Sequence, residues 1–247
     1  MVFINLCALI TLYREMPLWL VSDKIRFEMR TLPLFPLHTV LFPGMPIQLH
    51  VFEDRYRLMI RNCIEEGSPF GVVLIRKGHE ARGPLPVPHA VGCTAHITTV
   101  EPMQGGHFNL TAQGNERFRI LSLQTDKSYL VGQVELLPSE QSQSIDIKRG
   151  VRRLLAQLQD YLDLLKVSGS EDIQLVGLPL PEDPLVQVYL AAALLQIPPE
   201  EKQPLLAADF AGDLLEEIAR LYRREIALWH HLNPLGGDVP LIRGYLN

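Results

Sequence analysis

Apolar and polar positions alternate most cleanly over His107–Gln113. Phe108, Leu110 and Ala112 fall on one face and His107, Asn109, Thr111 and Gln113 on the other, the period of a half-buried strand. Gly114-Asn115 then reads as a turn, and Arg117–Leu123 as the next strand. Earlier in the chain, Thr31–Phe35 reads as a short strand that Pro33 and Pro36 confine to an edge or a strand start. Phe42-Pro43-Gly44 is a turn, and Ile47–Val51 a second strand. A helix opens at Glu53-Asp54, where acids suit the positive end, and stops at Gly67. Phe70–Arg76 is a continuous apolar run and predicts a buried strand. Lys77–His89, rich in proline and glycine, is a loop. Val91–Val100 and Tyr129–Leu137 are strands, and Met103–Gly106 is a turn. About six or seven short strands and one helix thus predict a compact, largely antiparallel barrel or sandwich.

The period changes after the polar stretch Pro138–Ser144. Ile147, Val151, Leu154, Leu155, Leu158, Leu162 and Leu165 recur at helical spacing, and this helix is expected to end near Ser168-Gly169. Asp183 caps a helix with Pro184 in its first position, running to about Leu195. Pro198-Pro199 breaks it, and a short helical piece contains Gln203–Leu206. Asp209 is placed to cap a last helix, with Phe210, Leu214, Ile218, Leu221, Tyr222 and Trp229 as its stripe. Asn233-Pro234 and Gly236-Gly237 stop that helix. Strands first and helices second is the order of an α+β fold with segregated parts. The expected division is a non-family extension over 1–28, a β-rich part over 29–138, a helical part over 145–232 and a tail over 233–247.

Composition narrows this picture. Of 247 residues, 47% are hydrophobic and 21% charged, an ordinary globular balance. The net charge of -5 excludes a chain-wide basic footprint for nucleic acid. Lys148-Arg149 and Arg152-Arg153 read as a solvated helix face. Cys7, Cys63 and Cys93 are scattered and contain no CxxC pair, which supports neither a zinc ribbon nor a thioredoxin-like site and fits a reducing cytoplasm. Val2–Tyr13 is apolar but about half of a membrane span of roughly 20 residues. No positive region precedes it, as a secretory signal would require. The favoured reading is a start placed too far upstream, with Met29 as the beginning.

The search for chemistry is mostly negative. GxxxxGK[ST], strand-linked GxGxxG, GxSxG and HExxH are all absent, so no ATPase, hydrolase or metalloprotease motif is present. His230-His231 suit a helix's carboxyl end, and nothing in spacing singles out His96 and His107 as metal ligands. No cofactor and no metal are expected. Binding surface remains. Phe35, Leu37, Leu41, Phe42 and Met45 either form an exposed apolar patch suited to unfolded chain segments or close the end of the barrel.

A family resemblance adds to these readings. Leu32–Arg61, LPLFPLHTVLFPGMPIQLHVFEDRYRLMIR, resembles the opening of the amino-terminal substrate-binding domain of Lon-type ATP-dependent proteases. Phe70–Leu74, Val91–Ala95, Leu110–Ile120 and Tyr129–Val134 resemble that family's following strands, and Asp183-Pro184 and Glu201–Leu206 its helical elements. The matches run in order over residues 31–230. Pro204 departs from the pattern, and so does the 1–28 extension. The resemblance implies a PUA-like antiparallel β pseudo-barrel with one helix, followed by a carboxyl-terminal helical bundle. It implies a non-catalytic module that binds unfolded polypeptide or a partner protein, a protease system among them, with no DNA and no membrane partner, in the cytoplasm. Phe42, Met45, Asp54 and Arg55 are the expected contact residues, from patterning and position. The alternative is a small-ligand or RNA-binding PUA-like sensor, against which the acidic net charge argues.

Overall fold

The computed structural model describes residues 29–80, 83–137, 145–167 and 180–232. The expectations for 1–28, for the Pro138–Ser144 linker, for the stop at Ser168-Gly169 and for the tail after Leu232 lie outside these residues. Strands β1 (Met29–Leu37), β2 (Pro46–Val51), β3 (Phe70–Lys77), β4 (Val87–Pro88), β5 (Val91–Pro102), β6 (Phe108–Gln124) and β7 (Leu130–Leu136) form one seven-stranded sheet. Helix α1 (Asp54–Glu66) lies between β2 and β3. Helices α2 (Ile145–Val167), α3 (Pro184–Leu194), α4 (Pro199–Ala207) and α5 (Ala211–Leu232) follow the strands. This is the expected α+β order, a β pseudo-barrel and then a helical bundle.

The sheet runs β1-β7-β6-β5-β3 and closes on itself because β1 also pairs with β3. That closing pair is parallel, Leu34↔Gly71 to Leu37↔Leu74, in an otherwise antiparallel sheet. A parallel pair needs a crossover connection, and β2 with α1 supplies it. β1 is consequently no edge strand. It pairs with β7 over Met29–Leu34 and with β3 over Leu34–Leu37, so Pro33 and Pro36 each have a partner strand on one side only.

Alternate residues of the ring strands point inward. Leu32, Leu34, Val73, Phe118, Leu130, Val134 and Leu136 form one buried cluster there. The space is tight. A Cβ on Gly92 would lie 2.6 Å from Phe118 Cζ, and one on Gly71 would lie 2.7 Å from the same atom. Residues of the opposite parity, Phe35, Leu37, Phe70, Val72, Leu74, Cys93 and Ala95, face outward. They belong to a second, larger cluster shared with the helices.

The expected turn at Gly114-Asn115 does not occur. β6 runs unbroken for 17 residues through both. Its first half pairs with β2 and β5, and its second half with β7 and the start of β5. Gly114 is there for close approach. Its N–H donates to Met45 O and its carbonyl accepts from Gly44 N, both at 2.8 Å. A Cβ would lie 2.4 Å from Phe42 O. The β5 register shifts opposite it, between Cys93 and Ala95, so the irregularity is a bulge.

The helical stripes are buried as the spacing predicts. Val151, Leu154, Leu158 and Leu162 of α2 and Leu214, Ile218, Leu221 and Tyr222 of α5 are all core residues, whereas Phe210 is 61% exposed and Trp229 half-buried. Tyr161 and Tyr222 meet edge to face at 5.3 Å, and Tyr222 Oη donates to Ala191 O. Asp183 caps α3 through Leu185 N at 2.7 Å with Pro184 in the first turn. α4 begins earlier than expected, at Pro199, and continues through Pro204. Lys202 Nζ donates to Ala193 O in the last turn of α3, and burial lowers its pKa to about 8. Two buried polar side chains join sheet to helices. Arg117 of β6 donates to Leu206 O and to Ala208 O, at the carboxyl end of α4 where carbonyls lack helical partners. Gln203 Nε2 donates to Val91 O at 2.9 Å.

Candidate functional site

Helix α1 starts where β2 leaves the sheet, and this corner holds two of the four expected contact residues. Glu53 occupies the cap position but makes no side-chain cap hydrogen bond. Its carboxylate lies 3.0 Å from Arg55 Nη2 instead. Arg55 also donates to Glu80 O and Gly83 O, and its guanidinium lies 4.8 Å from the Tyr56 ring centre. Glu80 in turn accepts from His38 N at 2.6 Å. Arg55 therefore clamps the loop after β3 onto α1. Tyr56 stacks on Phe35 at 4.3 Å, and burial pushes its phenol up to about 12. Asp54 is on the outside, with a side chain 95% exposed that accepts from Arg57 at 2.9 Å.

Beside Asp54 the structure gathers a surface of rings. His50, at an outward position of β2, lies 5.8 Å from Phe52 and 5.8 Å from His107, and its Nδ1 is 2.8 Å from Asn109 Oδ1 on the neighbouring strand. Gly105 and Gly106, both at positive φ, bring the turn before β6 up to it. Arg57 lies against Gly106, where a Cβ would fall 2.5 Å from Nη2. Met103, 45% exposed, is on the same turn. The outcome is a half-exposed surface of three rings, flanked by an acid and an arginine. Reading along the chain did not assemble it, because its parts come from β2, α1 and the turn before β6. The available clue was the alternation, which sets His107 and Asn109 on one outward face.

Phe42 and Met45 are not on that surface. They are 0% and 1% exposed, and Phe42 stacks on Tyr189 of α3 at 6.0 Å. The proline turn folds inward, held by the Gly44–Gly114 exchange, and buries Phe35, Leu37 and Leu41 with them. The stretch is therefore no exposed patch; it is buried in the cluster shared with the helices. Phe42 and Met45 are thereby separated from Asp54 and Arg55.

The remaining chemistry is sparse. Among the described residues no group of three or more His, Cys, Asp or Glu is placed to hold a metal. His96 lies opposite Gln113 in the ladder, and burial lowers its pKa. Burial raises the thiols of Cys63 and Cys93, which favours the un-ionised, unreactive form. A solvent-open cleft between Arg117, Tyr189 and Phe210 has a cavity volume of only about 10 Å³, room for about one water rather than a small-molecule ligand. Among the described residues no helix is long and apolar enough to cross a membrane.

Residues 31–224 match the family described as the ATP-dependent protease La (LON) substrate-binding domain. Among curated proteins, the chain is 27% identical over 206 residues to Lon protease 1 of Hydrogenovibrio crunogenus, covering 83% of this chain and 25% of that protein. It is 28% identical over 171 residues to the Lon protease of Paraburkholderia phytofirmans, covering 68% of this chain and 21% of that protein. The chain thus spans about a quarter or less of these relatives. The solved Lon N-terminal domain protein from Xanthomonas campestris is 28% identical, with a TM-score of 0.58, over 76% of this chain and 96% of that one. The N-terminal domain of Mycobacterium avium complex Lon protease, at 18% identity and the same TM-score of 0.58, shows the fold alone.

Proposed function

The chain belongs to the substrate-binding-domain family of ATP-dependent protease La, and on that premise we propose that it binds polypeptide segments or a partner protein without transforming them. The observation that carries this reading is the extent of the match. It runs from β1 into α5, through the barrel and the helices alike, and takes in the surface at the α1 corner. We assign first contact to His50, Phe52 and His107 with Asp54 at their edge. Flat rings offer large apolar faces at little conformational cost, and the flanking charges set orientation. Arg55 holds the loop after β3 against the start of α1. Phe42 and Met45 support the ring surface from within by fixing the turn that leads into β2. Binding of this kind needs no nucleotide, metal or nucleophile, and it suits a cytoplasmic protein.

The test is binding of a labelled, carboxamidomethylated and permanently unfolded polypeptide, followed by fluorescence anisotropy. The double variant H50A/F52A changes exposed or half-exposed side chains, so it keeps its fold by circular dichroism. It is expected to weaken binding about tenfold, the usual scale for losing one or two interface anchors. Equal binding by both proteins removes this surface from the assignment. No binding by the wild type overturns the function.

A further inference from the structure

The start of α2 carries four basic side chains in six positions, Lys148, Arg149, Arg152 and Arg153, and all four are exposed. Among the described residues none of them has an acidic partner. The spacing places Lys148 over Arg152 and Arg149 over Arg153, so like charges are stacked one helical turn apart, an unfavourable arrangement. Lys148 also sits in the first turn, where cations are disfavoured. In sequence, Asp146 is the sole acid from Ile145 through Gln159. Elsewhere on the surface Arg57, Arg220 and Arg224 each pair with a carboxylate within 3.0 Å.

The strip is also left open by its neighbours. Gly150 is where α5 approaches, since a Cβ there would lie 2.2 Å from Leu215 Cδ2. At about 100° per residue, Lys148 and Arg152 fall about 160° from Gly150, Arg149 about 100° and Arg153 about 60°.

We propose that this strip docks an acidic polypeptide segment of a partner protein. The inference rests on the polypeptide-binding reading above and adds a charge preference at a second surface. Length and charge select the occupant. The strip advances about 7.5 Å along the helix, which two or three residues of an extended peptide at about 3.3 Å each would span. Arginine forks take carboxylates in paired hydrogen bonds. A long polyanion such as nucleic acid, or an anionic membrane, would meet the rest of a chain whose net charge is -5 and be repelled.

The experiment measures anisotropy of a short labelled glutamate-rich peptide, its glutamine counterpart and a labelled single-stranded oligonucleotide. Each is titrated with the full chain and with the variant K148A/R149A/R152A/R153A. The wild type is expected to bind the glutamate peptide, weaken with salt, and prefer it to both other probes. The variant is expected to lose roughly tenfold in affinity, the summed effect of a few exposed ion pairs. Its melting temperature should stay the same or rise, because removing like-charge neighbours relieves α2. Binding of the unfolded polypeptide probe at the ring surface should persist in the variant, so failure of the strip is distinguishable from failure of the general reading. Equal affinity of both proteins for the glutamate peptide, no binding of it, or tighter binding of the oligonucleotide each overturns the proposal.

Discussion

The molecule has two cores that are stabilised in different ways. The one inside the barrel is small and purely apolar, built from Leu32, Leu34, Val73, Phe118, Leu130, Val134 and Leu136. Gly71 and Gly92 bring the barrel wall against Phe118 and leave no slack. The core between barrel and helices is much larger, and it is crossed by polar links from Arg117, Gln203 and Tyr222 to backbone carbonyls. The first is specified by shape and the second by shape together with hydrogen bonds that fix where the helices sit. Interior defects should therefore weaken the whole molecule, and junction defects should loosen helices first.

The largest effect is expected from Phe118→Ala. It removes the central ring of the small core, and the glycine-lined wall cannot collapse into the space. The expected cost is about 3–5 kcal/mol by urea unfolding. A cost below about 1 kcal/mol would show that the interior has slack after all, and the contrast between the cores would be lost.

Arg117→Met comes next. It leaves Leu206 O and Ala208 O without their cationic donor at the end of α4. About 2–3 kcal/mol is expected, the range for a charged donor lost from a buried site. The distribution matters more than the total. Amide hydrogen exchange should speed up in α4 while β1 and β7 keep their protection. Uniform loss across barrel and helices would mean that the two cores are one cooperative unit at this level.

These residues also mark the boundary of what the sequence makes legible. Period-two alternation around Leu110 and helical stripes such as Leu154–Leu158–Leu162 report which face is buried, and they were read correctly. So was the Asp183-Pro184 helix start, a signal within three residues. Gly114 was misread because glycine marks both turns and close approaches, and only the distant Phe42 carbonyl distinguishes them. Closure by β1 on β3 escaped reading for a similar reason, since pairing partners are not encoded in local period. Phe42 and Met45 illustrate the same point at the candidate surface. Their apolarity is visible, but the inward fold of their turn depends on hydrogen bonds to β6. The ring surface was missed because His50 and His107 look like isolated polar residues until β2 and β6 pair.

The smallest effect sharpens the comparison through pH. Lys202 is a half-buried charged group on the helical side of the junction, with Nζ on Ala193 O and a pKa lowered by burial to about 8, against 10.5 ordinarily. Between those values the unfolded chain holds a proton that the folded chain has released. Lys202 thus destabilises the fold fully below about pH 8, and its contribution makes stability rise with pH from there towards about 10.5. The hydrogen bond to a carbonyl at the end of α3 favours the charged form and works against this rise. Cys93 and Tyr56 act in the opposite sense, because burial holds them protonated while the unfolded chain ionises. They are common to both proteins when wild type is compared with Lys202→Met, so the difference between the two isolates the lysine. That difference, from urea unfolding at pH 7.5 and pH 10, is expected to move in favour of the wild type as pH rises. Parallel pH profiles would place Lys202 in contact with solvent, and the junction would then hold its polar groups no more tightly than the surface does.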